Sequence, residues 1–266
     1  MIRDLFDLTG RVALVTGGSR GIGRMIAEGF LEQGATVYIS ARKEQACQEA
    51  AAEMSTNGRR CIALPADISS LAGIEDLCEQ FAAQESHLNI LVNNAGAAWA
   101  APYEAFPESG WDKVVDLNLK SPFFLSQRLH GMLCKAASSD APAKVINIAS
   151  IDGIFVNPLE TYPYAASKAG LIHLTRRMAS RLVQDHIVVS AIAPGPFASD
   201  MNRDARDHAD QVARHVPLGR IGNADDIAGA AVYLGSRAGD YVVGATLTVD
   251  GGVAFARAGL MGEGWA

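Results

Sequence analysis

Cysteine is scarce and unpaired in this chain of 266 residues. There are four, Cys47, Cys61, Cys78 and Cys134, and none falls in a CxxC or other paired-ligand spacing. A disulfide framework is unusual in a chain this long, so four free thiols, mostly packed in a reducing cytoplasm, are expected. Six histidines are scattered without an HExxH pattern, so no catalytic zinc and no metal site are expected. No apolar run reaches the roughly 18 residues that a membrane span needs. The opening MIRDLFDLTGRVALVTGG has no basic stretch followed by a long apolar one, so no secretory signal is expected. Positive charge is in deficit, with 23 Lys and Arg against 29 Asp and Glu and a net charge of −6. The short pairs Arg59-Arg60 and Arg176-Arg177 read as solvated faces, so a nucleic-acid partner is not expected.

What is present is apolar. Hydrophobic residues make up 49% and charged residues 20%, enough apolar surface to offset chain entropy on folding. Seven β-rich runs, at 11–16, 35–40, 61–66, 89–94, 144–150, 187–193 and 245–250, alternate with helix-like stretches. Their β-branched continuity suits strands covered on both faces. Strands separated by helices imply right-handed crossovers and a parallel sheet, so the predicted class is α/β, a Rossmann-type doubly wound seven-stranded sheet. The clearest helices are 21–33, stopped by Gly34, then 43–57 before Asn57-Gly58, and 164–183. The last carries Leu171, Leu174, Met178 and Leu182 as one stripe. No internal repeat or linker divides the chain, so one domain over 1–266 is expected.

The first run leads into Thr16-Gly17-Gly18-Ser19-Arg20-Gly21-Ile22-Gly23. Glycines permit a tight turn and close approach of a ligand. The following helix offers unpaired N–H groups and its positive dipole end to a phosphate. The spacing is GxxxGxG rather than GxGxxG, and its place at the first strand-to-helix transition is where doubly wound folds bind nucleotides.

This loop, with Asn93-Asn94-Ala95-Gly96, Asn118, the YxxxK pair Tyr164 and Lys168, and Pro194-Gly195, resembles the short-chain dehydrogenase/reductase family from about residue 8 to Gly252. The resemblance implies cofactor contacts from Gly17, Ser19, Arg20, Gly21, Ile22 and Gly23, and from Asn94, Ala95 and Gly96 near the ribose. It adds Asp67 and its neighbour Ile68 at the adenine, the alternative for Asp67 being a plain turn residue. Tyr164, Lys168, Pro194 and Gly195 complete the set, with Ser199 standing where the family often has a threonine bonding the carboxamide. The second strand ends Ser40-Ala41-Arg42. An acidic side chain near this point binds the ribose hydroxyls in NAD-preferring folds. Here that acid is replaced by Ala41, and Arg42 and Arg20 can converge on a 2′-phosphate through charge-assisted bonds. NADP(H) is therefore the expected cofactor, the alternative being two solvent-facing arginines.

Tyr164 and Lys168 are one helical turn apart, so they share a face. A tyrosine hydroxyl titrates near ~10. A neighbouring ammonium is expected to lower that value, so that the hydroxyl can give a proton to, or take one from, a reacting oxygen. Tyr162 has Ala166 one turn on and is the weaker candidate. The resemblance makes Ser150 the residue that bonds the substrate carbonyl, and Asn118 the residue whose backbone holds a water near the lysine. The step from Ser150 to Tyr164 is 14 residues, one longer than usual in the family, which places an insertion in 151–163.

The segment 196–216 corresponds to the family's mobile lid, with the loop 152–162 (Phe155, Leu159, Glu160) as the facing wall. Trp99, Tyr103 and Phe106 read either as an aromatic edge to the pocket or as core. The pattern is most similar to the 3-oxoacyl-(acyl-carrier-protein) reductase branch. The run from Leu91 to Asn118, with Trp99 and Gly110-Trp111, further resembles ketoacyl reductases associated with bacterial rhamnolipid synthesis. The implied substrate is a small-molecule carbonyl or alcohol, with an acyl-carrier-bound thioester first. The alternatives are a sugar-acid or polyol, as in gluconate 5-dehydrogenases, or an NADP-binding sensor without turnover. Arg176, Arg177 and Arg181 are candidates for a carrier-binding patch at the pocket mouth. The family's habit implies a homotetramer, with a dimer as alternative. The tail 253–266, with Phe255, Leu260, Met261 and Trp265, is expected to cross a subunit interface or to fray.

Overall fold

The computed structural model of the chain describes residues 3–256. In chain order it has β1 (Val12–Thr16), α1 (Gly21–Glu32), β2 (Thr36–Ser40), α2 (Glu44–Met54), β3 (Cys61–Ala63), α3 (Leu71–Ala82) and β4 (Ile90–Asn93). Then come α4 (Glu108–Val115), α5 (Ser121–Arg128), α6 (His130–Ala136), β5 (Ala143–Ile148), α7 (Tyr162–Leu182) and β6 (Ile187–Pro194). The short helices α8 (Arg203–Asp207) and α9 (Ala209–Ala213), then α10 (Ala224–Gly235) and β7 (Thr246–Val249), complete the described part.

All seven expected strands form, and they pair in parallel in the order β3-β2-β1-β4-β5-β6-β7. Alternation along β1 explains the layers. Ala13 and Val15 enter one core with Ile26 and Phe30 of α1 and Ile227 of α10, while Val12 and Leu14 enter the other with Leu77 and Phe81 of α3. Leu171 and Met178 of α7 are buried, and Leu174 and Leu182 are partly covered, so the predicted stripe is the packed face. The strand order reverses between β1 and β4, and the crevice opened there lies at the carboxyl ends of the strands.

Three boundaries differ from the sequence expectation. β3 stops at Ala63 because Pro65 has no N–H to give the ladder, although Leu64 and Ala66 still donate to Ile39 and Ala41 carbonyls. α2 ends at Met54, ahead of the left-handed Asn57 (φ 56°) and Gly58 (φ 79°). α7 begins at Tyr162, since Pro163 is tolerated in a first turn whose N–H groups need no partner within the helix.

Gly29 carries the contact between α1 and α10. A Cβ there would lie 2.7 Å from Ala228 Cβ. Gly29→Val is expected to force the two helices apart at a cost of about 1–3 kcal/mol. At this chain length that lowers Tm by roughly 2–10 °C in a thermal melt. An unchanged Tm would show that the helices can separate freely.

Candidate active site

The glycine loop is held in shape by Asn94. Its Nδ2 donates to the carbonyls of Thr16 (2.8 Å) and Gly17 (3.2 Å), while the backbone N–H groups of Asn94 and Ala95 each donate to Thr16 Oγ1 at 3.0 Å. The Asn94 amide is thus a brace for the loop more than a free ligand, and Thr16, which the sequence reading did not single out, is the other half of that brace. Gly17 has φ +65°, and a Cβ on Gly23 would lie 2.3 Å from the Gly17 carbonyl oxygen. Any side chain at Gly23 would collide with the loop backbone. Arg20, at the N-cap of α1, makes no side-chain cap, so the first-turn N–H groups remain available to an anion.

A cleft of about 690 Å³ runs from this loop across the switch point. Gly17, Ser19, Arg20, Gly21, Ile22, Gly23, Ser40, Arg42, Asp67, Ile68, Asn94, Ala95, Gly96, Pro194, Gly195 and Ser199 line it, as do Ser150, Tyr164 and Lys168. The fold brings these expected residues together, and Asn118 stands immediately behind them. Asp67 also accepts the Ser69 N–H at 3.1 Å, the turn role that was its alternative reading. Ser199 Oγ accepts the Asn202 N–H at 3.1 Å. The donor-rich helix start, a glycine cradle that a Cβ would fill, and the two cationic side chains fit a phosphorylated dinucleotide.

Arg20 and Arg42 do not meet as a free pair. The Arg20 guanidinium is ion-paired with Asp200, which also takes Arg206 Nη1 at 2.6 Å. Those two arginines hold the Asp200 carboxyl below its usual range. Arg42 is exposed, and no ion pair engages it among the described residues. One of the two predicted phosphate ligands is therefore already tied to the segment 196–216.

At the other end, Ser150 follows β5, and Tyr164 and Lys168 share one face of α7. Lys168 is 4% exposed, its Nζ donates to the Ile148 carbonyl at 2.7 Å, and it stands 5.6 Å from the centre of the Tyr164 ring. Burial pushes Lys168 down to about 8, with Asp152 opposing. Burial pushes Tyr164 up to about 12, against a hydrogen-bonding contact with Ser150 that lowers it, while the Asp152 charge adds to the rise. This reverses the expected direction for the tyrosine: in the protein alone, desolvation of a phenolate outweighs the Ser150 hydrogen bond. A tyrosine that stays protonated at neutral pH is ready to donate.

Asn118 is fully buried in a five-residue π-helical turn, Asp116–Lys120, between α4 and α5. Such turns are frequent at functional sites. Its side chain clamps Ala97, accepting that N–H at 2.8 Å and donating to that carbonyl at 2.9 Å, and donates to Ser167 Oγ at 3.1 Å. The clamp locks the chain after β4 to α7. A 3-10 turn, Ile151–Gly153, and the loop after it join Ser150 to α7, and Ser150 and Tyr164 face one cleft.

The substrate wall is partly different from the expectation. Leu159 lines the cleft, but Phe155 packs on Ile151, Val216 and Val253. Glu160 turns away to accept the Tyr162 hydroxyl (3.0 Å) and the Tyr103 N–H (3.2 Å). Tyr103 and Phe106 stack edge-on against Tyr162, and Trp99 covers Gly110 under the Lys113 ammonium, so none of the three aromatics lines the cleft. Arg176, Arg177 and Arg181 lie on the far half of α7, away from the mouth, and Arg181 is paired with Asp185. Asp152, Asn157 and His215 do line it, inside the expected wall 152–162 and lid 196–216, although sequence reasoning did not single them out by name. Val253 closes the cleft and Phe255 is exposed, whereas Leu260, Met261 and Trp265 lie outside the described residues.

The sequence pattern of the family described as enoyl-(acyl carrier protein) reductase matches residues 17–254. The rhamnolipids biosynthesis 3-oxoacyl-(acyl-carrier-protein) reductase of Pseudomonas aeruginosa is 45% identical over 93% of this chain and 97% of its own length. The 2-dehydro-3-deoxy-D-gluconate 5-dehydrogenase of Dickeya dadantii is 37% identical over 95% and 98%. Among solved structures, the Pseudomonas aeruginosa RhlG/NADP active-site complex superposes with a TM-score of 0.91 at 44% identity, covering 95% of this chain and 99% of that one.

Proposed function

Since the chain belongs to the short-chain dehydrogenase/reductase family, we propose that it is an NADPH-dependent oxidoreductase that reduces the ketone of a 3-oxoacyl thioester to an alcohol. The observation that carries this reading is the lining of the catalytic end of the cleft. Ile151, next to Ser150, packs with Val216 and Val253, and Leu159, Met201 and Val212 add apolar surface to the cleft lining. The charged group two residues from Ser150 is a carboxylate, Asp152. No arginine or lysine besides Lys168 lines that end among the described residues. An acyl chain gains by burial against such a wall. A keto sugar acid would bring its own carboxylate beside Asp152, where the Lys168 ammonium is held on the Ile148 carbonyl and already interacts with that aspartate. The polar trio Asp152, Asn157 and His215 favours one second reading, a neutral polyol held by its hydroxyls. A sensor without turnover is disfavoured by the assembled Ser150, Tyr164 and Lys168.

NADPH, when bound, supplies the hydride. The rest belongs to the chain. The Ser150 hydroxyl orients the substrate carbonyl by donating to its oxygen, and the Tyr164 hydroxyl gives that oxygen a proton. Lys168, anchored on the Ile148 carbonyl, stabilises the tyrosine as it loses the proton. The backbone at Asn118 orders the path by which the proton is replaced. Arg42 and Arg20 take the 2′-phosphate, and the segment 196–216 closes over the site.

The test is NADPH consumption with a 3-oxoacyl thioester (as carrier-protein and as coenzyme A conjugate), a keto sugar acid and a neutral keto polyol. The thioesters are expected to show the highest kcat/KM, and Asp152→Asn is expected to raise activity on the sugar acid. A wild-type preference for the sugar acid would overturn the reading. The proposal extends to a one-domain subunit over 1–266 in a cytoplasmic homotetramer. In support, the four cysteines are free and no helix among the described residues is long and apolar enough to cross a membrane. Two separate apolar faces are exposed, Trp111 with Phe123 on α4 and α5, and Tyr241 with Val243 before β7.

A further inference from the structure

At the end of the sheet opposite the cleft, three donor side chains meet that sequence spacing does not connect. His130 and Cys134 are one turn apart on α6 and share a face. Asp185 ends the 3-10 turn Val183–Asp185 that leads from α7 into β6. His130 Nε2 lies 3.0 Å from Asp185 Oδ2 and 3.4 Å from Cys134 Sγ, and the donor atoms of all three fall within 4.8 Å of one another. An ion pair accounts for the histidine and the aspartate alone. It does not account for the sulfur, because Nε2 offers one proton or one lone pair and faces two partners. A cation placed among the three satisfies them together. Zinc with bonds of about 2.0 Å to nitrogen and oxygen and about 2.3 Å to sulfur sets tetrahedral donors roughly 3.3–3.5 Å apart, within a few tenths of an ångström of the 3.0 and 3.4 Å separations from His130 Nε2.

We propose that His130 Nε2, the Cys134 thiolate and the Asp185 carboxylate form a zinc-binding site, with water as the fourth ligand. Binding forms Zn–S and Zn–N bonds as the thiol S–H and the His130 Nε2–H break, and both protons leave to solvent with no change of oxidation state. Arg181 donates to Asp185 Oδ2 at 2.8 Å and orients the carboxylate from outside the donor set. All three donor residues are half-buried, which shields the bonds from full hydration. The ion clips α6 to the turn before β6, where the Ala143 N–H already donates to the His186 carbonyl at 3.1 Å. Tyr164 acts at the opposite, carboxyl end of the strands. The site therefore stabilises the fold and takes no part in turnover.

The test uses the full chain, stripped with a chelator and titrated with zinc or cobalt. One equivalent per chain is expected to bind, with a thiolate-to-metal charge-transfer band for cobalt and a rise in Tm of about 5 °C at saturation. Cys134→Ser and His130→Gln are each expected to remove the band and the Tm rise while leaving NADPH turnover unchanged, and Cys78→Ser to leave all three intact. Binding that is equal in wild type and both donor variants, absence of binding, or a cobalt complex without the thiolate band would each overturn the proposal. Because the readouts are metal binding and stability, the result does not depend on which carbonyl compound is the substrate.

Discussion

Replacing Tyr164 by phenylalanine is expected to lower kcat for carbonyl reduction by about 10²–10⁴-fold, the range for losing a positioned proton donor. KM should change little, because the ring stays packed and only the hydroxyl is removed. The pH profile is the sharper reading. Tyr164, pushed up to about 12 by burial, stays protonated across the working range. Lys168, pushed down to about 8 by burial, loses its charge first as pH rises. The protonated ammonium is the form that supports the tyrosine as it releases a proton. In the wild type, kcat/KM for reduction should therefore be flat on the acid side and fall as pH rises through about 8. A Lys168→Met variant should be slow at every pH and lack that step. A Tyr164→Phe enzyme that reduces the whole substrate panel at the wild-type rate would show that another group donates the proton.

Removing both Arg20 and Arg42 is expected to reverse the cofactor preference. A charge-assisted hydrogen bond contributes about 1.5–3 kcal/mol. Two of them, lost together, should raise KM for NADPH roughly 10²–10⁴-fold while KM for NADH barely moves. The single variants should differ. Arg20 is already paired with Asp200 and must exchange or share that partner to take a phosphate, whereas Arg42 has no such competitor among the described residues. An exposed ion pair of this kind is weak because water screens it, so the exchange reduces the Arg20 contribution without abolishing it. Arg42→Ala should accordingly cost more NADPH affinity than Arg20→Ala. Steady-state kinetics with both cofactors decides the matter; equal wild-type kcat/KM for NADH and NADPH would end the argument.

The elements that the sequence revealed best are those with a strong local cause. β1 and β6 are continuous apolar runs, and no competing helical period exists within them. α1 starts at the glycine loop and stops at Gly34 because only glycine readily takes the φ of +90° found there. Tyr164 and Lys168 were legible because helical geometry turns a four-residue spacing into a shared face. Elements with weak local causes were less clear. The break between α5 and α6 falls inside a stretch of ordinary helix formers, and the π-helical turn around Asn118 depends on its contacts with Ala97 and Ser167. Neither leaves a mark in composition.

The functional site divides the same way. Residue types and order along the chain determined the sheet, the glycine loop, the shared face of Tyr164 and Lys168 and the absence of an acid after β2, whereas Ser150 was implied by the family resemblance. Each depends on neighbours a few residues away or on a motif with a fixed backbone consequence. Tertiary structure decided the rest. It raised the Tyr164 pKa by desolvation, tied Arg20 to Asp200, spent the Asn94 amide on the glycine loop, and put Asp152 in the cleft with Tyr164 and Lys168. It also gathered His130, Cys134 and Asp185 from two elements whose spacing gives no metal motif. Desolvation and charge pairing depend on what surrounds a group in space, and that packing is set by contacts between residues far apart in the chain.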